Sequence, residues 1–212
     1  MNVEDTFEKA VSVKTMRESD AATIAGGVPS KELMRRAGEG IFKAFNWKAP
    51  VAIVCGKGNN AGDGYVVADL LKKSGIDCTI ILLSDTFSND GRYYYDICVT
   101  EGIPVQSFDS STDLKAYNTI LDCILGTGFK GEVTGIIKDA IDAMNESGAY
   151  IISADIPSGL NGDTGEGETF VHSDLTVSIG SYKTGHFMGK CREAMKEKTN
   201  IDIGIKIIDN GL

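Results

Sequence analysis

Basic charge is scarce in this chain, and so are prolines, histidines and long apolar stretches. Lys and Arg number 21 against 30 Asp and Glu, for a net charge of -9. That balance argues against binding to nucleic acid or to an acidic membrane surface, both of which reward clustered Lys and Arg. Any anionic ligand must therefore be held by local groups. The only histidines, His172 and His186, sit in no Ser or Cys nucleophile pattern and at no metal-ligand spacing, so both read as surface residues. Five cysteines, odd in number, widely spaced and without C-x-x-C, exclude a disulfide framework and a zinc site and read as small core residues. No apolar run is long enough to span a bilayer, and the opening MNVEDTFEKAV has no signal-like apolar core. A soluble, cytoplasmic protein is expected. With four prolines and no linker, repeat or low-complexity tract, residues 1–212 read as a single domain with a sizeable core.

Short runs rich in Val and Ile are plentiful: 50–55, 78–83, 104–108, 119–125, 150–156 and 175–180. Segments of helical period separate them, at 63–73, 91–101 and 136–146. This alternation predicts an α/β fold with a parallel sheet covered by helices on both faces. A last strand is expected near 201–208, and two helical segments within 15–46, joined by the turn at Gly26–Pro29, precede the sheet. In the run Tyr93-Tyr94-Tyr95 the rings are expected to divide between core and surface.

The most informative stretch is Ile53–Leu71, where an apolar run breaks into GKGNNAGDG and resumes with helical spacing. Gly56, Gly58 and Ala61 fit G-x-G-x-x-G/A, a strand-to-helix turn in which small residues allow close approach to a phosphate at a helix N-terminus. Asn59, Asn60 and Asp63 are costly side chains for a loop that only has to turn. Ligand sites in such sheets lie at the carboxyl ends of strands. Three further loops there are chemically rich: DCILGTGFKGEVTG from Asp122, ADIPSGLNGDTG from Ala154, and SYKTGH from Ser181.

Together these loops resemble the YjeF N-terminal domain family, whose enzymatic members are NAD(P)H-hydrate epimerases. CGKGNNAGDG, the Asp122 strand leading into GTGFKGE, DIPSGLNGDTG, YKTG and DIGI at 202–205 occur in the family's order, and MRESDAATIAGGVPSKELMRRAG from Met16 is similar to its opening helices. The resemblance implies a three-layer, Rossmann-like α/β/α sandwich, commonly a homodimer, that interconverts the R and S epimers at C6 of hydrated NADH or NADPH. It also implies a functional partner, an ATP- or ADP-dependent dehydratase that consumes the S epimer; no such domain precedes Leu212, so a stand-alone epimerase is expected. Carried over by position, Asn59, Asn60, Ala61, Gly62 and Asp63, the loop Gly126, Thr127, Gly128, Phe129, Lys130, Gly131 and Glu132, and Asp155 would meet the hydrated dinucleotide. Asn60, Asp122 and Ser158 would hold one potassium ion per subunit. The chain departs from the family pattern at Lys57, Ala61 and Asn161, where proline, glycine and aspartate are usual.

Oxygen donors suit a hard monovalent cation, which would tie three loops together before substrate arrives. Taken alone, the same residues also suit a helix cap, a strand end and a turn cap. Asp155, closing the run YIISA, is the expected acid/base residue, with a pKa raised by desolvation. Replacing it with Asn is expected to abolish epimerisation and leave stability largely intact. Lys130 and Lys183 are candidate partners for ligand phosphates, against the commoner reading of exposed lysines that only solvate a loop. A Rossmann dehydrogenase, with Asp85 as its ribose-binding acid, and a non-catalytic binding or scaffold module of the same fold are the competing readings.

Overall fold

The computed structural model describes residues 10–208. Helices α1 (Val13–Ala25) and α2 (Ser30–Lys43) come first; then β1 (Val51–Cys55), α3 (Asn59–Lys73), β2 (Cys78–Leu82), α4 (Asn89–Thr100), β3 (Val105–Ser107), β4 (Thr119–Cys123), α5 (Gly135–Asn145), β5 (Tyr150–Ala154), β6 (Ser173–Ile179), the short α6 (Cys191–Ala194) and β7 (Met195–Ile201). One sheet holds all seven strands in the order β3-β2-β1-β4-β5-β6-β7, each pair parallel. Every residue of β1 and β4 is buried, as near-continuous apolar strands must be when both faces are covered. On one face Ile41 of α2, Tyr65 and Leu71 of α3 and Cys98 of α4 pack over Ile53, Leu121 and Ile152. On the other, Ala140, Ile141 and Met144 of α5 cover Val54, Ile120 and Ile151. This is the three-layer sandwich the sequence implies. Each such fully buried aliphatic side chain contributes on the order of 1.5–3 kcal/mol.

Two expected boundaries move. The last strand is Met195–Ile201, not 201–208. Its residues Lys196, Glu197 and Lys198 are exposed, since β7 is an edge strand, where charge discourages pairing with another chain. That hid it from a search for apolar runs. The apolar residues after it serve differently: Ile203 is buried against Leu33 and Ala37 of α2. Likewise α3 begins at Asn59 rather than Asp63, so the polar half of the glycine motif is its first turn. Gly64 permits this inside a helix, because a Cβ there would lie 2.8 Å from the Cys123 sulfur and push α3 off the sheet. The tyrosine run divides as expected: Tyr93 is exposed, while Tyr94 and Tyr95 are half-buried. All five cysteines are free and buried. Among the described residues no helix is long and apolar enough to cross a membrane.

Candidate functional site

The strand order reverses between β1 and β4, from which the chain winds outward in opposite directions. Open α/β sheets place ligands in the crevice beyond such a switch point. Here the loops after β1, β4 and β5 meet. Gly56 allows the first two to touch, since a Cβ there would lie 2.1 Å from the Ile124 carbonyl oxygen. The first turn of α3 has no side-chain cap at Gly58, so its leading N–H groups face the crevice as a ready anion site.

At the floor, Asn60 Nδ2 donates to the Leu125 and Ala154 carbonyls at 3.1 and 3.3 Å, joining all three loops. Its Oδ1 is buried with no partner. Asp122 is fully buried; its Oδ1 accepts from Ser158 Oγ at 2.5 Å and from the Ile124 amide at 3.2 Å, and its Oδ2 from Ser153 Oγ and the Ser158 amide, each at 2.9 Å. Ser158 Oγ also accepts from the Leu125 amide at 2.8 Å. Burial pushes the Asp122 carboxyl up, and the Ser158 hydrogen bonds pull it back only in part. Four neutral donors thus serve a carboxylate that has no cationic partner in this floor among the described residues. The floor is oxygen-rich, with an orphaned amide oxygen and an uncompensated buried charge, and this donor set fits a monovalent cation shared by Asn60, Asp122 and Ser158.

Asp155 follows β5 and carries the only positive φ of a non-glycine residue among those described, 66°. Its Oδ2 accepts from Thr127 Oγ at 2.8 Å and its Oδ1 is paired with the Lys183 ammonium. Lys183 is 1% exposed and also donates to the Ile179 carbonyl at 2.9 Å. Burial alone would raise the Asp155 carboxyl; the adjacent ammonium, by charge and hydrogen bond, outweighs it and holds the group below the usual carboxylate range. Both sequence expectations change here. Asp155 is ionised at rest, not poised with a raised pKa, and Lys183 is committed to Asp155 rather than reaching for a phosphate. His186 is corrected too. It is fully buried, its Nε2 2.6 Å from the Asp155 carbonyl and its Nδ1 accepting the Lys183 amide at 2.9 Å, while His172 is exposed as expected. Lys183 and His186 stand three apart around a 3-10 turn, Thr184–Phe187, where such residues eclipse; that spacing was the available signal.

Beside Asp155, a cavity of about 130 Å³ is lined by Asn59 and Asp63 of α3, Asp20 and Ile24 of α1, Asp90, and Ile179 among others. Burial first, then the neighbouring Asp155 and Asp20 charges, push the Asp63 carboxyl well up; burial likewise raises Asp20. Asp20 escaped the sequence reading although it lies one turn beyond the buried Met16, on the inward side of α1. Ala61 and Gly62 are buried in the first turn of α3, and Met34 of α2 lies against Gly62. In the loop after β4, Gly126 and Thr127 face Asp155, Phe129 is half-buried, and Arg17 of α1 donates to the Gly128 carbonyl at 3.3 Å. Lys130, Gly131 and Glu132 lie exposed along the loop, as does Lys57. Asn161 caps its turn by accepting the Asp163 and Thr164 amides at 2.9 and 3.1 Å, which an aspartate would do equally. A larger groove of about 1000 Å³ between α2 and β7, lined by Arg36, Tyr150, Glu197 and Ile201 among others, holds none of the site residues.

Residues 30–185 match the family described as YjeF-related protein N-terminus. Among curated relatives, the NAD(P)H-hydrate epimerase of Oenococcus oeni is 36% identical over 205 residues, 92% of this chain and 96% of the relative. That of Lentilactobacillus buchneri is 38% identical over 206 residues, 93% and 95% of the two chains. The bifunctional NAD(P)H-hydrate repair enzyme Nnr of Coxiella burnetii is 34% identical over 184 residues, 84% of this chain; the match spans only 38% of that relative's length. The crystal structure of the yeast protein ynu0, YNL200c, shares the fold, with a TM-score of 0.77 at 22% identity over 95% of this chain and 96% of that one. A family model covering most of the chain, and relatives above 30% identity along nearly its whole length, establish that the chain belongs to the YjeF-related N-terminal family.

Proposed function

We propose that this protein is an NAD(P)H-hydrate epimerase, an isomerase that interconverts the R and S epimers at C6 of hydrated NADH and NADPH. The observation that carries the reading is the meeting of three chain-distant loops at the sheet's switch point, which sets Asp155, paired with Lys183 and Thr127, beside Asp63 and the open N-terminus of α3. The cavity is smaller than the roughly 300–1,000 Å³ of a drug-sized ligand site. It suits one ring, with the pyrophosphate at the α3 amides and the remainder of the dinucleotide along the loop from Gly126 to Glu132.

C6 of the hydrate is a hemiaminal carbon, so inversion needs a proton moved at its hydroxyl oxygen. Ionised Asp155 begins as the acceptor: it takes the hydroxyl proton as the C6 carbonyl forms and the C6–nitrogen bond opens, the bonding pair passing to the nitrogen and its conjugated carboxamide, and returns the proton to that oxygen when the nitrogen re-adds on the other face. Lys183 stabilises the carboxylate between turnovers, and Thr127 aims it. Asn60, Asp122 and Ser158 would hold one potassium ion per subunit; when bound, it would supply the positive charge that the buried Asp122 lacks and clamp the three loops.

The relatives named as bifunctional NAD(P)H-hydrate repair enzymes support a second repair activity acting with this one; a separate dehydratase and a homodimer are what the resemblance implies, the latter to be measured by light scattering. The deciding experiment mixes the purified protein with an R/S hydrate mixture and a dehydratase specific for the S epimer. Accelerated consumption of the whole mixture is the expected result. Consumption that stalls at the S fraction, apart from slow spontaneous epimerisation, would leave a non-catalytic binding module; turnover of intact NAD(P) would make it a dehydrogenase.

A further inference from the structure

Asp155 is held in a conformation that side chains with a Cβ rarely adopt. The Ile156 amide reaches back to the Ala154 carbonyl at 2.9 Å, closing a γ-turn around Asp155 at φ 66°. A γ-turn with positive φ is rare and strained, and persists only where the surroundings over-determine it. The restraints on this residue are on view. Its amide donates to the Val177 carbonyl at 2.9 Å, extending the β5–β6 pairing. Its carboxylate is gripped by Lys183 and Thr127. Its carbonyl is met by His186 Nε2 at 2.6 Å.

A carbonyl oxygen only accepts, so the hydrogen of this last bond sits on Nε2. Nδ1 accepts the Lys183 amide at 2.9 Å, a shorter contact than its 3.2 Å approach to the Lys183 carbonyl, and is then the unprotonated nitrogen. Lys183 and His186 therefore act from one turn on one residue, the first on its side chain and the second on its backbone. A side-chain grip fixes where the carboxylate ends; only the backbone grip fixes the direction in which Cα projects it. The fully buried ring has both nitrogens engaged, Nε2 on Asp155 and Nδ1 on Lys183, and so joins the two residues.

We propose that His186 is a positioning residue for epimerisation: as the neutral Nε2–H tautomer it locks the Asp155 carbonyl and so keeps the carboxylate in its place between Lys183 and Thr127. This rests on the epimerase reading. Without the bond, Asp155 relaxes to negative φ and its carboxylate turns from the substrate. Misplacement by about 1 Å costs on the order of a hundredfold in rate.

The test compares wild type with His186→Gln, whose amide N–H reaches as far as Nε2, and His186→Asn, which is too short. Turnover is measured with the hydrate mixture and an S-specific dehydratase, and 15N NMR assigns the ring tautomer of the wild type. The expected result is a kcat about ten- to a hundredfold lower for His186→Asn with KM held within about twofold, kcat largely restored in His186→Gln, and an Nε2–H neutral ring at pH 7. Wild-type kcat in a folded His186→Asn, a loss confined to KM, or an Nδ1–H or doubly protonated ring would each overturn the proposal while leaving the epimerase reading intact. Should His186→Asn fail to fold, a His186→Gln variant that folds and has lost turnover would overturn it as well. A wild-type protein without epimerase activity would sink both.

Discussion

Lys183 and Asp155 bury opposite charges against one another, and removing either leaves the other uncompensated. Asp155→Asn is therefore expected to lose at least about a hundredfold in epimerisation, the ordinary weight of a general base. It is also expected to lose about 3 kcal/mol of stability, the usual cost of stranding a buried charge. Adding Lys183→Met to that variant should return most of the stability and none of the activity, as read by denaturant titration and the coupled assay. The sequence pointed to an unharmed fold; the buried Lys183 partner, not visible there, changes that expectation. A second expectation concerns pH. Burial, reinforced by the Lys183 charge, pushes the His186 imidazole down to about 4 from an ordinary 6.5. A lowered folded-state value means that the neutral ring's contribution is whole above pH 6.5 and is lost as pH falls toward 4, by roughly 3 kcal/mol in all. The charges facing it are Lys183 from its own turn and Asp155 from the end of β5, and raised carboxyls on Asp20 and Asp63 titrate in the opposite sense nearby. Subtracting His186→Gln isolates the histidine: the wild-type advantage should shrink steadily from pH 7 to pH 4.5, and a constant difference would rule it out.

The elements follow from patterns of different legibility. β1, β4 and β5 were readable because strands buried on both faces are mostly apolar, and α5 because Ile137, Ala140, Ile141 and Met144 recur along one face. β7 was not, because its exposed edge face carries Lys and Glu. The glycine motif was found, but its parts are unequal. A Cβ at Gly56 would collide with the Ile124 carbonyl, whereas one at Gly58 meets nothing within 4 Å. Gly56→Ala should therefore destabilise by about 3 kcal/mol or more and slow epimerisation by prising the β1 and β4 loops apart. Gly58→Ala should cost no more than about 1 kcal/mol, the loss of a favourable cap residue. Thermal denaturation of both variants checks the contrast, and equal losses would mean that the motif matters as a flexible loop and not as a close contact.

Across the whole molecule, the site exists because one sheet brings residues near positions 60, 122 and 155 to a single crevice. A cation bound there would tie the sheet's two halves. Replacing NaCl by KCl at constant ionic strength should raise Tm by several degrees, since ligand at a hundred times Kd adds about 2.7 kcal/mol and each kcal/mol is worth roughly 2–4 °C at this chain length. Asn60→Ala should abolish that difference. An equal Tm in both salts would leave Asn60 Oδ1 without the proposed partner. The charge of -9 is borne on the same molecule, so the α3 amides proposed to meet the pyrophosphate would work against a repulsive background, and substrate affinity should rise with ionic strength, as a titration in increasing salt would read.

Sequence alone determined the α/β class, the crevice-facing loops and the family, because apolar periodicity and glycine spacing are local properties and motif order is preserved along the chain. It also named Asn60, Asp63, Asp122, Asp155 and Ser158. Tertiary structure alone decided the protonation of Asp155, since a pKa is set by what lies within a few ångströms, and Lys183 arrives there from 28 positions away. It alone showed that His186, though part of the SYKTGH loop, is buried and grips the backbone of Asp155, and that Asp20, far from the site along the chain, enters from α1. Linear order records which groups a protein owns; only the packed chain sets which of them share a dielectric.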